Sequence, residues 1–266
     1  METDNSSHYK YMPRLPEEEP EIIENPEPVE TVAEVITEET GVASELPEER
    51  EEQEDREEKD SAFYRSPLAS FIYALFSPLA VPTIICILLF LLSILYVVAP
   101  GAVVPYSLTV FGASCVVPLI TIYILLKVGE ADSFKLLSAR ERVIPYIIEI
   151  MALGGLTLFF VFKGATPWIW TIFLGCTATA VANFLINFRL RVSCHCSAMG
   201  ALVASLIVIS KFGMPQMSML WWIIGALFFA GYTGTLAISY GKHNIWEVMV
   251  GYTTGFLSII LFSLIH

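Results

Sequence analysis

Between residues 80 and 265, apolar stretches of roughly twenty residues follow one another with only short polar breaks. About 20 consecutive apolar residues are what a helix needs to cross the hydrocarbon of a bilayer. On that criterion spans fall near residues 80–99, 106–128, 143–163, 167–188, 195–211, 217–238 and 244–265, the fifth being short. The sequence therefore predicts an all-α, polytopic transmembrane helix bundle of about 6–7 spans, and hence a multi-pass membrane protein whose solvent is membrane lipid. Gly and Pro gather at span ends, as in PGAVVP (100–105) and KGATP (163–167), which predicts tight loops between antiparallel neighbours. Residues 66–77, SPLASFIYALFS, are apolar but too short to span unaided, and Pro78 ends them. They read either as a helix lying at the interface or as the first half of a kinked helix.

Charge divides the chain in two. Residues 1–62 hold 22 of the 27 acidic residues and five basic ones, a net of −17; residues 63–266 hold five acidic and ten basic, a net of +5. The first segment is Glu-rich, punctuated by Pro and almost free of aromatic residues, so it cannot bury enough apolar surface to offset its ordering entropy. Residues 1–62 are expected to be a disordered acidic N-terminal tail, and residues 63–266 the membrane domain. The tail reads as a solvated tether; a docking site for a basic partner of unknown identity is the alternative. The charge excludes a basic nucleic-acid binder. No basic-then-apolar leader with a small-residue cleavage site opens the chain, so no cleaved signal peptide is expected. Cys86, Cys115 and Cys176 lie inside apolar stretches, where cysteine acts as a small hydrophobe. Cys194 and Cys196 flank His195, but no second ligand cluster completes a tetrahedral site, so neither a metal nor another cofactor is expected.

Inside the membrane domain the ionisable residues are unevenly placed. The loop 127–142 carries Lys127, Lys135, Arg140 and Arg142; Arg189 and Arg191 follow the fourth span, and Lys242 follows the sixth. Two spans separate each of these loops from the next, so all three lie on one face. Lys163 and Lys211 are on the other. Charged groups at a membrane are costly and are functional candidates by default. Each basic loop carries one group of them: Lys135 with Arg142, Ser193 with His195, and His243 with Glu247. The bundle can thus converge two cations, a hydroxyl, two histidines and a carboxylate. Cations and backbone N–H groups suit phosphoryl oxygens. One histidine can attack phosphorus while the other protonates the leaving oxygen. A carboxylate four residues after a histidine shares its helix face, so Glu247 is expected to bond a ring nitrogen of His243 and fix its tautomer.

These residues, in this order, resemble the type 2 phosphatidic acid phosphatase and haloperoxidase superfamily, and in particular a bacterial membrane branch of it. The family pattern is K-x6-R-P, then P-S-G-H, then S-R-x5-H-x3-D. Lys135 and Arg142 match the first part, with Pro145 three residues on; Ser193-Cys194-His195 match the second; His243, Glu247 and then Gly251 match the third. SPLAVPT (77–83) is similar to that branch's first helix, and the resemblance covers residues 66–266. It implies a lipid-phosphate or lipid-pyrophosphate phosphatase of the bacterial inner membrane, working on an anionic lipid phosphate through a phosphohistidine. By position, His243 would be the nucleophile, Glu247 its orienting acid and His195 the general acid, with Lys135, Arg142 and Ser193 around the phosphoryl group.

The chain departs from the pattern at three places: Val192 for proline, Cys194 for glycine, and Ala237 where the third motif has arginine, six residues before the nucleophile. A guanidinium binds phosphate in a bidentate way that a lysine does not reproduce. The second reading is therefore a catalytically inactive relative that binds anionic lipid or scaffolds a membrane complex. A transporter or channel subunit is a third; an inverted repeat or an ionisable residue at mid-span would favour it, and neither is evident. Asn183 and Asn187, four apart, read as bonds between helices. Trp168, Trp170, Trp221 and Trp222 read as anchors at the far interface, and Gly154, Gly155, Gly225 and Gly231 as close-packing positions.

Overall fold

The computed structural model describes residues 67–128, 143–241 and 243–265. The expected tail, the segment with Lys135, Arg140 and Arg142, and Lys242 lie outside the described residues. Those described are helical, with no strand among them: α1 Pro67–Leu75, α2 Val81–Leu92, α3 Pro100–Lys127, α4 Val143–Phe162, α5 Pro167–Asn187, α6 Cys194–Phe212, α7 Leu220–Ser239 and α8 Ile245–Ser263. Six of them, α3 to α8, are long and apolar enough to cross a membrane. The chain is a multi-pass, all-α membrane protein.

The expected first span, 80–99, is not one helix. α2 ends at Leu92, and a single helical turn, Leu95–Val98, follows it. The rest of that passage comes from α1. Tyr73 of α1 lies edge-on to Tyr240, just past the end of α7, while Phe76 meets Phe229, halfway along α7. α1 therefore descends from the motif end to mid-depth. At Ser77–Ala80 the chain turns, because Pro78 and Pro82 each lack the N–H that a continuous helix would use. α2 then carries on to the far end, where the Ile94 N–H bonds the Gly213 carbonyl at the close of α6 (2.8 Å). At 1.5 Å per residue the two pieces measure about 13 and about 18 Å, together close to the ~30 Å of a hydrocarbon core. Of the two readings of residues 66–77, the structure takes the broken helix.

PGAVVP, expected as a loop, instead forms the start of α3, opening on a 3₁₀ turn over Pro100–Ala102. Proline is tolerated in a first helical turn, where its missing N–H would have no partner in any case. Further along α3, Pro118 withdraws another N–H, and the helix widens to a π turn over Gly112–Val116. KGATP is a tight turn as expected, with Gly164 at φ +68°.

α6 is the hub: 72% of its most apolar stretch is buried in the bundle, against 22% for α3 and for α8. It runs parallel to α8 and lies against it. Lipid chains are as apolar as Leu, so membrane helices gain from close approach of their backbones more than from hydrophobic burial. The seam is accordingly glycine. A Cβ at Gly251 would stand 2.7 Å from the Ser193 carbonyl oxygen, and one at Gly200 or Gly255 would collide with the carbonyl of Tyr252 or Ser197. The glycines singled out from the sequence are different. Gly155, Gly225 and Gly231 face open space, and Gly154 has only a methyl of Thr177 at 3.8 Å, so none of these four brings helices together. Asn183 does bond between helices: its amide donates to Ser197 Oγ (3.0 Å) and its carbonyl accepts from it (3.2 Å). Trp221 is exposed at the far end of α7, whereas Trp168 and Trp170 pack against the core.

Candidate functional site

Two helices begin side by side at the motif end. The Ser193 N–H, at the start of α6, points to the Glu247 carbonyl in the first turn of α8 (3.4 Å). The glycine seam beneath allows this approach. Parallel α6 and α8 thus turn their N-terminal N–H groups, the positive ends of their dipoles, toward the same face.

His243 precedes α8. Its Nδ1 lies 2.9 Å from Glu247 Oε2 and 3.0 Å from the Arg191 carbonyl oxygen. The hydrogen bond expected from the four-residue spacing is present. Its consequence is chemical. A backbone carbonyl only accepts, and so does an ionised carboxylate, so Nδ1 must carry the proton. The neutral ring then keeps its lone pair on Nε2. Glu247 has a second duty: Asn244 is the N-cap of α8, its side chain accepts from the Glu247 N–H, and Glu247 Oε2 accepts from the Asn244 N–H (3.3 Å). The sequence carried that signal, an N-x-x-E box before an apolar run, beneath the H-x3-E reading.

Ser193 is the N-cap of α6 and is fully buried. Its Oγ has no hydrogen-bond partner of ordinary geometry among the described residues; the Cys196 thiol is a neighbour. His195, in the first turn of α6, stacks on Tyr73, with ring centroids 3.9 Å apart and planes 16° from parallel. Nothing in the sequence marked Tyr73, because its role depends on α1 descending into the bundle. Cys194, where the resembled pattern has glycine, turns away toward α4, its Sγ 2.8 Å from Tyr146 Oη.

Ala237 is fully buried, in a small cluster with Ala69, Tyr73, Cys196, Leu236 and Val248. The place where the resembled pattern has arginine is therefore apolar and filled, partly by α1. Ser193 and His195 stand at one of two adjoining helix starts and His243 and Glu247 at the other; Lys135 and Arg142 lie outside the described residues. No group of three or more His, Cys, Asp or Glu among the described residues could hold a metal ion. Comparison with family models, curated proteins and solved structures gave no match.

Proposed function

We propose that this chain is an integral membrane phosphatase of lipid phosphates or lipid pyrophosphates, set in a bacterial inner membrane. The observation that carries the reading is the grip on His243: with Nδ1 bound to Glu247 and to the Arg191 carbonyl, Nε2 is left as a nucleophile of fixed direction. Nε2 attacks phosphorus, the bond from phosphorus to the lipid oxygen breaks, and His195 gives that oxygen a proton. Water then attacks the phosphohistidine, His195 takes a proton from it, and inorganic phosphate leaves as the histidine is restored. The paired N-termini of α6 and α8, with Ser193, Lys135 and Arg142, hold the phosphoryl oxygens.

The lipid part of the substrate has a place to go. An apolar groove of about 420 Å³ runs over α6 between α7 and α8, lined by Gly200, Leu227, Gly231, Tyr252, Phe256 and Leu257. By helical rise, Tyr252 and Leu257 stand about 7 and about 15 Å below Glu247, which is the depth of acyl chains beneath a head group at the face. Phosphate release from several lipid phosphates by the purified protein, with His243→Ala as the control, tests the reading. Release that is abolished by His243→Ala is expected; equal release from both proteins would refute it.

A second reading is favoured by Ala237. With no guanidinium and an apolar cluster in its place, the same face binds an anionic lipid head group without turning it over. Undetectable release on every lipid tried, together with retention of the protein on vesicle-derived phosphatidic acid, would select it.

A further inference from the structure

Among the described residues only Glu149 and Glu247 are acidic. Glu247 is accounted for. Glu149 is not: it stands about 9 Å into α4 from the motif end, within a span though short of its middle. Partly exposed itself, it lines a small, half-open pocket of about 30 Å³ formed by α4, α5, α6 and the break between α1 and α2. The pocket is polar on one side, where Tyr146, Thr179 and Asn183 join Glu149, and apolar on the other, where Pro78 and Val81 line it. Among the described residues the carboxyl has no hydrogen bond and no ion pair; the ion pair found there is that of His243 with Glu247.

We propose that Glu149 holds an exchangeable monovalent cation, a proton or a sodium ion, inside the bundle. A bare carboxylate removed from water costs many kcal/mol and does not persist unpaired. No basic side chain lines the cavity to neutralise it, so the counter-charge must come from solution. The space fixes its size. One water needs ~10–15 Å³, so 30 Å³ suits a small ion or a water or two. The donor set fixes its valence: one carboxylate and neutral oxygens do not match the several carboxylates and six or more oxygens that calcium takes. Thr179 Oγ1 donates to the Gly175 carbonyl and keeps its lone pairs, and Asn183 Oδ1 accepts a single bond from Ser197, so each can still face a cation. The titratable groups that face the carboxyl are Tyr146 from its own helix, Cys176 from α5 and Cys194 from α6; α2 contributes none. The site stands on its own and does not depend on phosphatase activity.

A hydrophobic carbodiimide tests it, because such reagents form stable adducts with protonated carboxyls in apolar surroundings. The full-length protein in liposomes is treated with dicyclohexylcarbodiimide and the adduct is located by peptide mass spectrometry. An adduct on Glu149, lost in Glu149→Gln, is expected, and its yield should fall as pH rises. If sodium salt at fixed pH suppresses the yield where choline salt does not, the occupant is sodium; if only pH acts, it is the proton. Absence of an adduct on Glu149 at every pH in both salts, or a yield that neither pH nor sodium alters, would overturn the proposal. The wild-type arms locate the adduct directly, so they decide the matter even if Glu149→Gln fails to fold.

Discussion

At the residue scale, Glu247 has two jobs on one oxygen, and substitution separates them. Asn244→Ala removes the cap and should cost about 1 kcal/mol of stability while leaving the His243 contact and most activity intact. Glu247→Gln keeps an acceptor for the cap but loses the charge that favours the Nδ1–H tautomer, and kcat on a lipid phosphate should fall by about 10²-fold or more. Equal effects of the two on activity would mean that Glu247 serves the fold alone. Ala237 makes a sharper test of the missing guanidinium. Ala237→Arg places a charge among Ala69, Tyr73 and Val248, and it should lower stability by about 3 kcal/mol or more without raising activity. A gain in phosphate release would show instead that the cluster opens. The His243–Glu247 pair was legible because four-residue spacing is a property of any helix. Tyr73 and the Arg191 carbonyl were not: one is brought by a helix break and the other is backbone, which leaves no signature in side-chain chemistry.

Elements here are decided by where proline and glycine fall. The sequence put a stop at Pro78 and a loop at PGAVVP; the chain does break at Pro78, with Pro82 in the first turn of α2, but it builds Pro100 and Pro105, as well as Pro118, into α3, using a first turn and a π turn to absorb them. The difference is one of partners. Around the π turn, Cys115 Sγ donates to the Leu79 carbonyl and Ser114 Oγ meets Thr83 Oγ1, so groups left unbonded in one element are taken up by the other. Glycine tells the same story. A helical glycine in a membrane span is visible in sequence, but whether it faces a backbone or lipid depends on rotation about the helix axis, which a nearly uniform apolar span does not encode. The seam gives a test. Gly255→Val would drive a side chain into the Ser197 carbonyl, separating α6 from α8, and should cost about 3 kcal/mol or more; Gly225→Ala, in open space, should change stability by no more than about 1 kcal/mol. Thermal unfolding in detergent reads both. Since Ser193 and Glu247 sit at the top of that seam, Gly255→Val should also weaken activity, and a variant that is destabilised yet fully active would uncouple the site from the seam.

For the whole molecule, the open question is which face of the membrane carries the site, and the path of the chain now constrains it. α1 and α2 together make one passage, so the chain enters α1 at the same face as Ser193, His195 and His243 and leaves α8 at the other. Lys127, Arg189 and Arg191 lie at the motif face, and Lys163 and Lys211 at the far one. Arg65, Arg140 and Lys242, placed by sequence alone, bring the balance to six against two once the proposed site cations are left out. Lys and Arg remain on the cytoplasmic side of a membrane, which predicts a cytoplasm-facing site. The resemblance argues the reverse, since members of the branch it points to commonly work on the outer face. Single cysteines at Thr40, Lys242 and Thr166, in a background lacking the native five, separate the two. With a membrane-impermeant thiol reagent on intact spheroplasts, Thr166→Cys should label and the other two should label only after lysis. Labelling of Lys242→Cys in intact spheroplasts would put the site outside and make the resemblance the better guide than the charge. Labelling of Thr40→Cys and Lys242→Cys on opposite sides would mean that the N-terminal segment makes a crossing of its own before α1, and the count of passages would have to change.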